Sequence, residues 1–377
     1  MTSRQPRPRQ RDIARVAGVS QATVSLVLNG KPGAVGLAAE TVSRVHEAAR
    51  ELGYVADPIA MRLARRQNFL LGVHTFSAAF PVDIENSYYP FLAGVEQQAA
   101  ARGYDLVLFT GAAPSGDHPA RADAVHRLRL ADGCILFGRT VPVAEIARLL
   151  DDDYPLVYIG RRDELGARLP FVGADYTDAS RQVVEHLAAL GHERILYVRE
   201  PDDALASDDR EKGVKLGLAN VGLTEHAPAF VRSDGSDLTP AWVRRQLEAG
   251  VTAFVAETTD VSAAARALTR AIAGAGLRYP SDVSLALLGE YVVPPVDEPA
   301  VTGFAVPRRE MGRAAADLLI DLLTGASVPP ERRQTLMECE FVPGETAGPL
   351  PAAHASPQTR TRTGTKNRAN HRRGQDA

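Results

Sequence analysis

Between Asp12 and Tyr54, apolar residues recur at the three- and four-residue spacing of amphipathic helices. Three apolar faces follow from that spacing: Ile13, Val16 and Ala17; Val24, Val27 and Leu28; and Val42, Val45, Ala49 and Leu52. Gly18 can adopt the positive φ of a tight turn between the first two helices, and Ser20 can cap the second helix. Three short helices joined in this way predict an all-α helix-turn-helix unit.

From Phe69 onward, apolar runs of strand length alternate with helical stretches. The predicted strands are Leu70–Phe76, Asp105–Thr110, Gly133–Phe137, Leu156–Gly160, Phe171–Ala174, Ile195–Arg199, Ala253–Ala256 and Val283–Leu288. The predicted helices are Tyr89–Arg102, Ala120–Arg129, Asp178–Leu190, Arg210–Val221, Pro240–Glu248 and Val261–Ala273. This alternation predicts an α/β region of two doubly wound parallel-sheet lobes, with ligands bound at the carboxyl ends of the strands.

Charge is distributed unevenly along the chain, although its formal net charge is only −3. Residues 1–67 carry eleven basic and five acidic side chains, and residues 359–377 carry six basic side chains and one acidic. The residues between these two segments therefore have a net charge of −14. A basic first segment on an acidic body indicates that the first segment meets a polyanion such as DNA.

The lengths of the apolar runs also indicate in which cellular compartment the protein is expected. None reaches the roughly 18 to 20 residues that a membrane helix needs, and the first residues lack the apolar stretch of a secretory signal. We therefore expect a cytoplasmic protein with no membrane contact. Cys134 and Cys339, the only two cysteines, lie in separate apolar runs, which favours buried thiols over a disulfide or a metal site.

Several motifs together resemble the LacI/GalR family of transcription regulators. The motifs are Asp12–Ser20 (DIARVAGVS), Ala22–Ser25 (ATVS), Val27–Asn29 (VLN), Glu51–Tyr54 (ELGY), Asp57–Ala64 (DPIAMRLA) and Leu190–Ile195 (LGHERI). The resemblance covers about Asp12 to Pro343, nearly everything except the carboxyl-terminal tail. It implies a helix-turn-helix head followed by a sensor similar to periplasmic binding proteins.

The pattern and the resemblance together give five predicted segments. These are a disordered basic arm (1–9), the helix-turn-helix domain (10–56), a hinge helix (57–67), the two-lobed effector-binding and dimerisation domain (68–345) and a disordered basic tail (346–377). The tail lacks a leucine heptad, so we expect a homodimer rather than a coiled-coil tetramer.

The second helix of the head is the predicted DNA-reading element. With Val24 and Val27 turned to the core, helical spacing directs neighbouring side chains outward. The resemblance assigns base reading to Gln21, Ala22 and Leu26, and phosphate contacts to Ser20, Thr23, Ser25 and Asn29. Many family members have arginine where Leu26 stands, so we expect a different operator preference at that base pair.

The hinge helix supplies a second predicted DNA contact. In the family, two such helices of a dimer lie in the minor groove and insert a leucine between central base pairs. Leu63 has that position here, and Ala60 is small enough to allow close approach of the two helices. We expect this helix to become ordered only on DNA, because helices under about 12 residues are marginal in water.

The effector site is predicted between the two lobes. Arg210 matches the family arginine that reaches the ligand, and its guanidinium can hold two oxygens at once. Tyr88 and Tyr89 stand where aromatic residues contact sugars in relatives, but filling of the core explains them equally well. The family's other ligand motifs are absent, so Asp175, Glu257 and Glu290 are predicted to offer carboxylates to a cationic or hydroxylated effector.

These expectations combine into one functional prediction. The chain is expected to be a repressor that binds a pseudo-palindromic double-stranded DNA operator as a dimer, with an affinity modulated by a sugar-like or other polar metabolite. The alternatives are a solute-binding sensor and a regulator that has lost effector binding. No catalytic residue, metal site or cofactor is predicted, because no triad spacing, phosphate-binding glycine loop or metal-ligand cluster occurs.

Overall fold

The computed structural model describes residues 8–28, 36–54, 68–75, 88–109, 127–138, 142–224, 230–259, 262–290 and 299–350. The head consists of α1 (Gln10–Ala17), α2 (Gln21–Leu28) and α3 (Ala39–Glu51). Its core is built on Ile13, Val24 and Val45, one from each helix, and all three side chains are fully buried. The predicted three-helix unit is therefore confirmed.

The turn between α1 and α2 also has the predicted conformation. Gly18 has a φ of 66°, the left-handed region that glycine adopts at little cost. The first apolar face was predicted incorrectly in one position. Val16 is 45% exposed and Ala14 is buried in its place, because the helix turns the 13–14–17 side towards α2 and α3. The side chain of Val16 therefore faces solvent.

Beyond the head, strands and helices alternate along the described residues. The strands are β1 (Leu70–Thr75), β2 (Asp105–Phe109), β3 (Gly133–Phe137), β4 (Leu156–Ile159), β5 (Phe171–Ala174), β6 (Ile195–Arg199), β7 (Phe230–Arg232), β8 (Ala253–Glu257), β9 (Ser284–Leu288), β10 (Gly303–Ala305), β11 (Gln334–Met337) and β12 (Glu340–Val342). The helices are α4 (Tyr89–Ala101), α5 (Val143–Asp151), α6 (Tyr176–Ala189), α7 (Leu205–Asn220), α8 (Pro240–Glu248), α9 (Ala263–Gly274), α10 (Arg308–Leu323) and α11 (Pro330–Arg333).

The strands form two parallel sheets, one for each lobe. The first sheet has the order β11-β5-β4-β3-β1-β2, and the second has the order β7-β6-β8-β9. Strands β1, β3, β4, β5, β6, β8 and β9 are buried along nearly their whole length, as expected for sheets covered by helices on both faces. The prediction of two doubly wound parallel-sheet lobes is confirmed.

The chain passes between the lobes at three places. It leaves the first lobe between β5 and α6, returns after β10 to form α10, and leaves again between β11 and β12. Strand β12 pairs antiparallel with β10, and Thr302, the residue before β10, bridges to Ala286 of β9. Each lobe is therefore assembled from segments that are far apart in the sequence.

All eight predicted strands are present, with bounds within one residue of the prediction. The helix predicted over Ala120–Arg129 lies mostly outside the described residues. Several elements of the structure were not predicted: β7, β10, β11, β12, α5, α10 and α11. The short strands among them are edge or ribbon strands of three or four residues, and their conformation depends on pairing with distant segments.

The predicted boundary between sensor and tail was too early. Residues 346–350 are not a disordered tail but a segment packed against the second lobe. Thr346 is 1% exposed, and its hydroxyl donates to the carbonyl of Leu285 over 2.7 Å. The amide of Leu350 donates to the carbonyl of Leu190 over 3.0 Å. We call residues 344–350 the terminal strap; residues 351–377 lie outside the described part.

Both cysteines are buried, as expected. Burial raises the pKa of both thiols, that of Cys339 to about 12, so each side chain behaves as a small apolar group. Among the described helices, none combines the length and the hydrophobicity that crossing a bilayer requires.

Candidate functional site

The first candidate site is the exposed face of α2. Val24 and Val27 point into the head core, and this orientation leaves Gln21 and Ala22 exposed on the opposite side. Thr23, Ser25 and Leu26 are half-buried at the edges of that face. The face carries one amide and two apolar side chains, groups that suit an adenine edge and a thymine methyl respectively.

Hydrogen bonds at the helix starts hold this face in place. The backbone amide of Thr23 donates to the Ser20 hydroxyl oxygen over 3.0 Å, which makes Ser20 the expected cap of α2. The two hydroxyl oxygens of Ser20 and Thr23 lie 2.8 Å apart. At the start of α1, where the usual capping threonine is absent, the amide of Arg9 donates to the carboxylate of Asp12 over 2.8 Å.

Three further residues assigned to DNA contact are outside the described residues. These are Asn29, which follows α2, and Ala60 and Leu63 of the predicted hinge helix. The prediction that the hinge contacts the minor groove therefore stays a prediction. Within the described part of the head, the side chains of Arg11 and Arg15 on α1 are exposed, in keeping with the basic charge of this segment.

The second candidate site is a cleft of about 870 Å³, including its open mouth, between the two lobes. It lies at the carboxyl ends of β3, β4, β5 and β8, where doubly wound sheets bind ligands. Its walls are lined by aromatic residues and by charged residues: Tyr88, Phe91, Phe137, Tyr158, Tyr176, Arg161, Arg162, Asp209, Arg210 and Arg308. The mixture suits a small polar molecule with a flat body.

Arg210 is held in a fixed position in this cleft. Its Nε donates to the carbonyl of Leu288 over 2.8 Å, and Nη1 donates to the carbonyl of Ala206 over 3.1 Å. The guanidinium carbon lies 3.8 Å from the centre of the Tyr176 ring, within cation–π range. Nη2 donates to no acceptor among the described residues, so the side chain is oriented while one nitrogen can donate to a ligand.

Arg161 and Asp209 connect the two lobes across the cleft. Arg161 follows β4 in the first lobe, and Asp209 lies on α7 in the second. The guanidinium binds the carboxylate in bidentate fashion, with Nε–Oδ2 and Nη2–Oδ1 distances of 2.8 and 2.7 Å. Hydrogen bonding to Asp209 raises the pKa of Arg161, which stays charged in either case. The pair fastens the lobes to each other in this arrangement.

Arg162 is buried on the first-lobe wall. Its Nη2 donates to the Gly138 carbonyl and contacts the Tyr158 hydroxyl, each over 2.8 Å. The Tyr158 hydroxyl itself donates to the same carbonyl. These bonds make the three groups one connected polar network, and Glu164 lies 3.6 Å from Nη1 of Arg162.

The three carboxylates predicted for the effector site have other partners and do not line the cleft. Asp175 caps α6 by accepting from the amide of Asp178 over 3.0 Å. Glu257 is fully buried and accepts from the amide of Glu200 over 2.7 Å and from the Tyr197 hydroxyl. Glu290 accepts from Arg308 over 2.6 Å.

Of the two tyrosines, Tyr88 lines the cleft and Tyr89 is 67% exposed on the surface outside it. The structure thus brings together Tyr88 and Arg210 from the predicted effector set. Sequence reasoning missed Arg161, Arg162, Tyr176 and Arg308. Arg161 and Arg162 directly follow a predicted strand, and this position was a usable signal, whereas Arg308 is placed in the cleft by α10, which was not predicted.

Comparison with known proteins finds matches for the helical head and for much of the two-lobed region. Residues 11–57 match the model of bacterial regulatory proteins of the lacI family, and residues 184–347 match that of the periplasmic binding protein-like domain. The HTH-type transcriptional regulator CelR of Thermobifida fusca is 30% identical over 338 residues, which span 87% of this chain and 96% of CelR. The chain belongs to the LacI family.

Other LacI-family proteins extend the comparison. The HTH-type transcriptional repressor CytR of Escherichia coli K12 is 29% identical over 336 residues, 88% of this chain and 94% of CytR. The relatives of this LacI-family chain are transcriptional regulators rather than enzymes. In the described part, no group of three or more His, Cys, Asp or Glu side chains could hold a metal ion.

Two solved structures resemble this LacI-family chain over nearly its whole length. The CelR–cellobiose complex is 26% identical with a TM-score of 0.59, and covers 90% of this chain and 100% of that chain. The Lac repressor dimer bound to operator and an anti-inducer is 25% identical with a TM-score of 0.67, and covers 91% and 100%. The resemblance identified from the motifs is confirmed.

Proposed function

We propose that this chain is a repressor that binds a pseudo-palindromic DNA operator as a homodimer and changes its affinity when a small polar effector occupies the inter-lobe cleft. Because the proposed DNA target lies in the cytoplasm, we expect the protein to act there. The observation that carries the proposal is the α2 face, where Gln21 and Ala22 are exposed over a core of buried valines. A helix held this way can enter a major groove and present side chains to base edges.

The proposed reading residues have separate roles. Gln21 offers a donor and an acceptor to adenine, and Ala22 and Leu26 offer apolar surface to a thymine methyl. Ser20, Thr23, Ser25 and Asn29 contact phosphates and set the register on the duplex. Ala60 and Leu63 belong to the hinge helix and act in the minor groove, where an inserted leucine bends the DNA.

Support for the homodimer comes from geometry and from a relative. Symmetric reading of two half-sites requires a two-fold arrangement of heads, so operator symmetry mirrors protein symmetry. The similar Lac repressor was solved as a dimer bound to operator. Support for the effector comes from the cleft, where Arg210 is oriented beside aromatic walls, and from the cellobiose complex of CelR.

The proposal is tested by selecting bound duplexes from random DNA with the wild type and with Leu26→Arg. We expect a pseudo-palindrome from the wild type. The arginine variant should select guanine at one symmetric base pair, because a guanidinium donates two hydrogen bonds to guanine O6 and N7. Binding by the wild type should also weaken by about a thousandfold between 50 and 200 mM salt, since phosphate contacts dominate affinity.

Ser43→Arg is the matched control for this selection. Ser43 is exposed on α3, so the variant adds the same charge to the head without altering the α2 face. It should raise affinity for all duplexes alike and select the wild-type sequence. If Leu26→Arg also selects the wild-type sequence, Leu26 is not on the reading face; a wild type with no preference among duplexes overturns the proposed function.

A further inference from the structure

The polar lining of the cleft is dominated by positive charge. Its charged members are four arginines, at positions 161, 162, 210 and 308, and one acid, Asp209. Both carboxylate oxygens of Asp209 already accept hydrogen bonds from Arg161, which neutralises the charge of this acid. A molecule that enters the cleft therefore meets guanidinium groups in preference to carboxylates.

Arg210 differs from the other buried arginines in its partners. The described residues include three buried arginines, Arg162, Arg199 and Arg210. Arg199 has carboxylate partners in Asp208 and Glu211, and Arg162 has Glu164 within 3.6 Å. Arg210 is 3% exposed, yet across the described chain no carboxylate lies within ion-pair distance of it.

An isolated buried charge creates an attraction for the opposite charge. Arg210 is stabilised by two backbone carbonyls and the Tyr176 ring, which carry partial charges only. Taking a cation out of water without a directly bound counter-charge is costly, so the Arg210 guanidinium favours an anionic ligand. An anion bound beside Arg210 would neutralise it and form a charge-assisted hydrogen bond.

The carboxylates that would favour a cationic effector are occupied elsewhere. Glu257 is fully buried and accepts hydrogen bonds from the Tyr197 hydroxyl and the Glu200 amide, and Asp175 caps α6. Glu290 is bound to Arg308 at the edge of the cleft. The idea that these three side chains attract a cationic effector is thus not supported by their surroundings.

We propose that the effector of this chain is a small organic anion: a carboxylate or phosphate group on a ring-sized, hydroxylated body. The anionic group lies against Arg210, and the body lies against the aromatic wall that Tyr88 and Tyr176 contribute to. This inference deepens the proposed function, on which it rests, by naming the class of effector. It distinguishes this cleft from one that binds a neutral sugar through hydroxyl groups alone.

The test is a thermal-unfolding titration of the full-length protein with inorganic phosphate, sodium chloride at equal ionic strength, and cellobiose. Phosphate should raise the midpoint with saturation, whereas chloride and cellobiose should leave it unchanged. Arg210→Met should weaken the phosphate response by about tenfold or more in apparent Kd, the loss of one charge-assisted fork. Arg245→Met, an exposed arginine on α8, is the matched control and should respond like the wild type.

A second variant keeps the test valid if Arg210→Met, a substitution at a buried position, fails to fold. Arg308→Gln removes a half-buried cleft arginine and should weaken the phosphate response several-fold. A cellobiose response without a phosphate response identifies a neutral-sugar site and overturns the inference. The inference is also overturned if the wild type does not respond to phosphate, or if the phosphate response survives both cleft substitutions. Glucose 6-phosphate and gluconate, each against glucose, then separate phosphate from carboxylate as the anionic group.

The same samples separate this inference from the proposed function. Fluorescence anisotropy with the selected operator, measured without any small molecule, reports DNA binding alone. If the operator binds and the anions do not, the effector class is wrong and the regulator stands. If the operator does not bind, the proposed function fails whatever the cleft binds.

Discussion

His192 connects the start of the second lobe to the terminal strap. It is 1% exposed, its Nε2 donates to the carbonyl of Gly348 over 3.0 Å, and its Nδ1 accepts from the Thr252 hydroxyl over 2.9 Å. A carbonyl oxygen only accepts, so the neutral ring satisfies both bonds in one tautomer. Burial lowers the pKa of His192, although the bond to Gly348 partly offsets this effect.

This lowered pKa predicts a loss of stability in mild acid. Because the folded protein disfavours the charged ring, the contribution of His192 is complete above the ordinary histidine pKa of 6.5 and is lost as the pH falls below it. Each pKa unit between the folded and unfolded states corresponds to about 1.4 kcal/mol. Thermal unfolding measured from pH 8 to pH 5 should show the midpoint falling, with a shallower fall in His192→Gln. Equal slopes in the two proteins would refute this role.

At the scale of single residues, the sequence predicted features that depend only on residues close together in the chain. Gln21 and Ser20 follow from the spacing of the valines in one short helix, and the structure gives Ser20 its capping bond. The bridge from Arg161 to Asp209 joins positions 48 residues apart in different lobes. No local pattern specifies such a pair, because its geometry exists only after both lobes have folded.

Among the helices, α4 and α10 cross at a point of very close approach in the first lobe. Gly94 of α4 lies against the backbone carbonyl of Arg309, and Gly312 of α10 lies against the carbonyl of Phe91. A Cβ atom at either glycine would collide with the facing backbone. The two glycines therefore set how closely these helices pack.

This close approach predicts that Gly94→Ala destabilises the first lobe. Overpacking against backbone that cannot move aside costs about 1–3 kcal/mol, which should lower the thermal midpoint by about 5 °C. Gly103→Ala is the comparison, since its Cβ meets open space and the cost, about 1 kcal/mol, comes from a φ of 76°. Scanning calorimetry of both variants checks the order. A Gly103→Ala midpoint at or below that of Gly94→Ala would exclude the packing explanation.

Elements were predictable wherever their own periodicity is strong. Helix α10 has that periodicity in Met311, Ala315, Leu318 and Leu319, all of which are buried, so this helix was predictable from the sequence although it was not predicted. Strand β11 is different. Its residues are half-buried or exposed at a sheet edge and become a strand by pairing with β5, about 160 residues earlier.

Across the whole molecule, the terminal strap is the last segment to join the second lobe. The amide of Glu345 donates to the carbonyl of Ala300 over 2.6 Å, and that of Gly348 donates to the Ser284 hydroxyl over 3.1 Å. Thr346 accepts from the amide of Thr302 and donates to a carbonyl of β9. The strap thus satisfies buried polar groups that would otherwise be left without partners.

Two truncations should separate the strap from the residues that follow it. A chain that ends at Leu350 should keep the wild-type thermal midpoint. A chain that ends at Pro343 should lose at least about 5 °C, because several buried hydrogen bonds of the second lobe are removed. Differential scanning fluorimetry compares the two purified proteins directly. Equal midpoints would show that the strap does not stabilise the lobe.

The overall architecture was predictable because two parallel sheets need fully buried strands, which read as continuous apolar runs such as Gly133–Phe137. The boundary at the end of the sensor was not. Residues 344–350 contain glycine, proline and threonine and have no periodicity, and their order comes from hydrogen bonds to a lobe whose strands precede them.

The return of the chain to the first lobe has a consequence for its biosynthesis. Helix α10 and strand β11 complete the first sheet, so that lobe stays unfinished on the ribosome until residue 337 has emerged from the exit tunnel. By then all four strands of the second sheet have already been translated. The amino-terminal lobe, although started first, is completed only after every strand of the second sheet has been translated, and its β5 edge is open to intermolecular pairing throughout that interval.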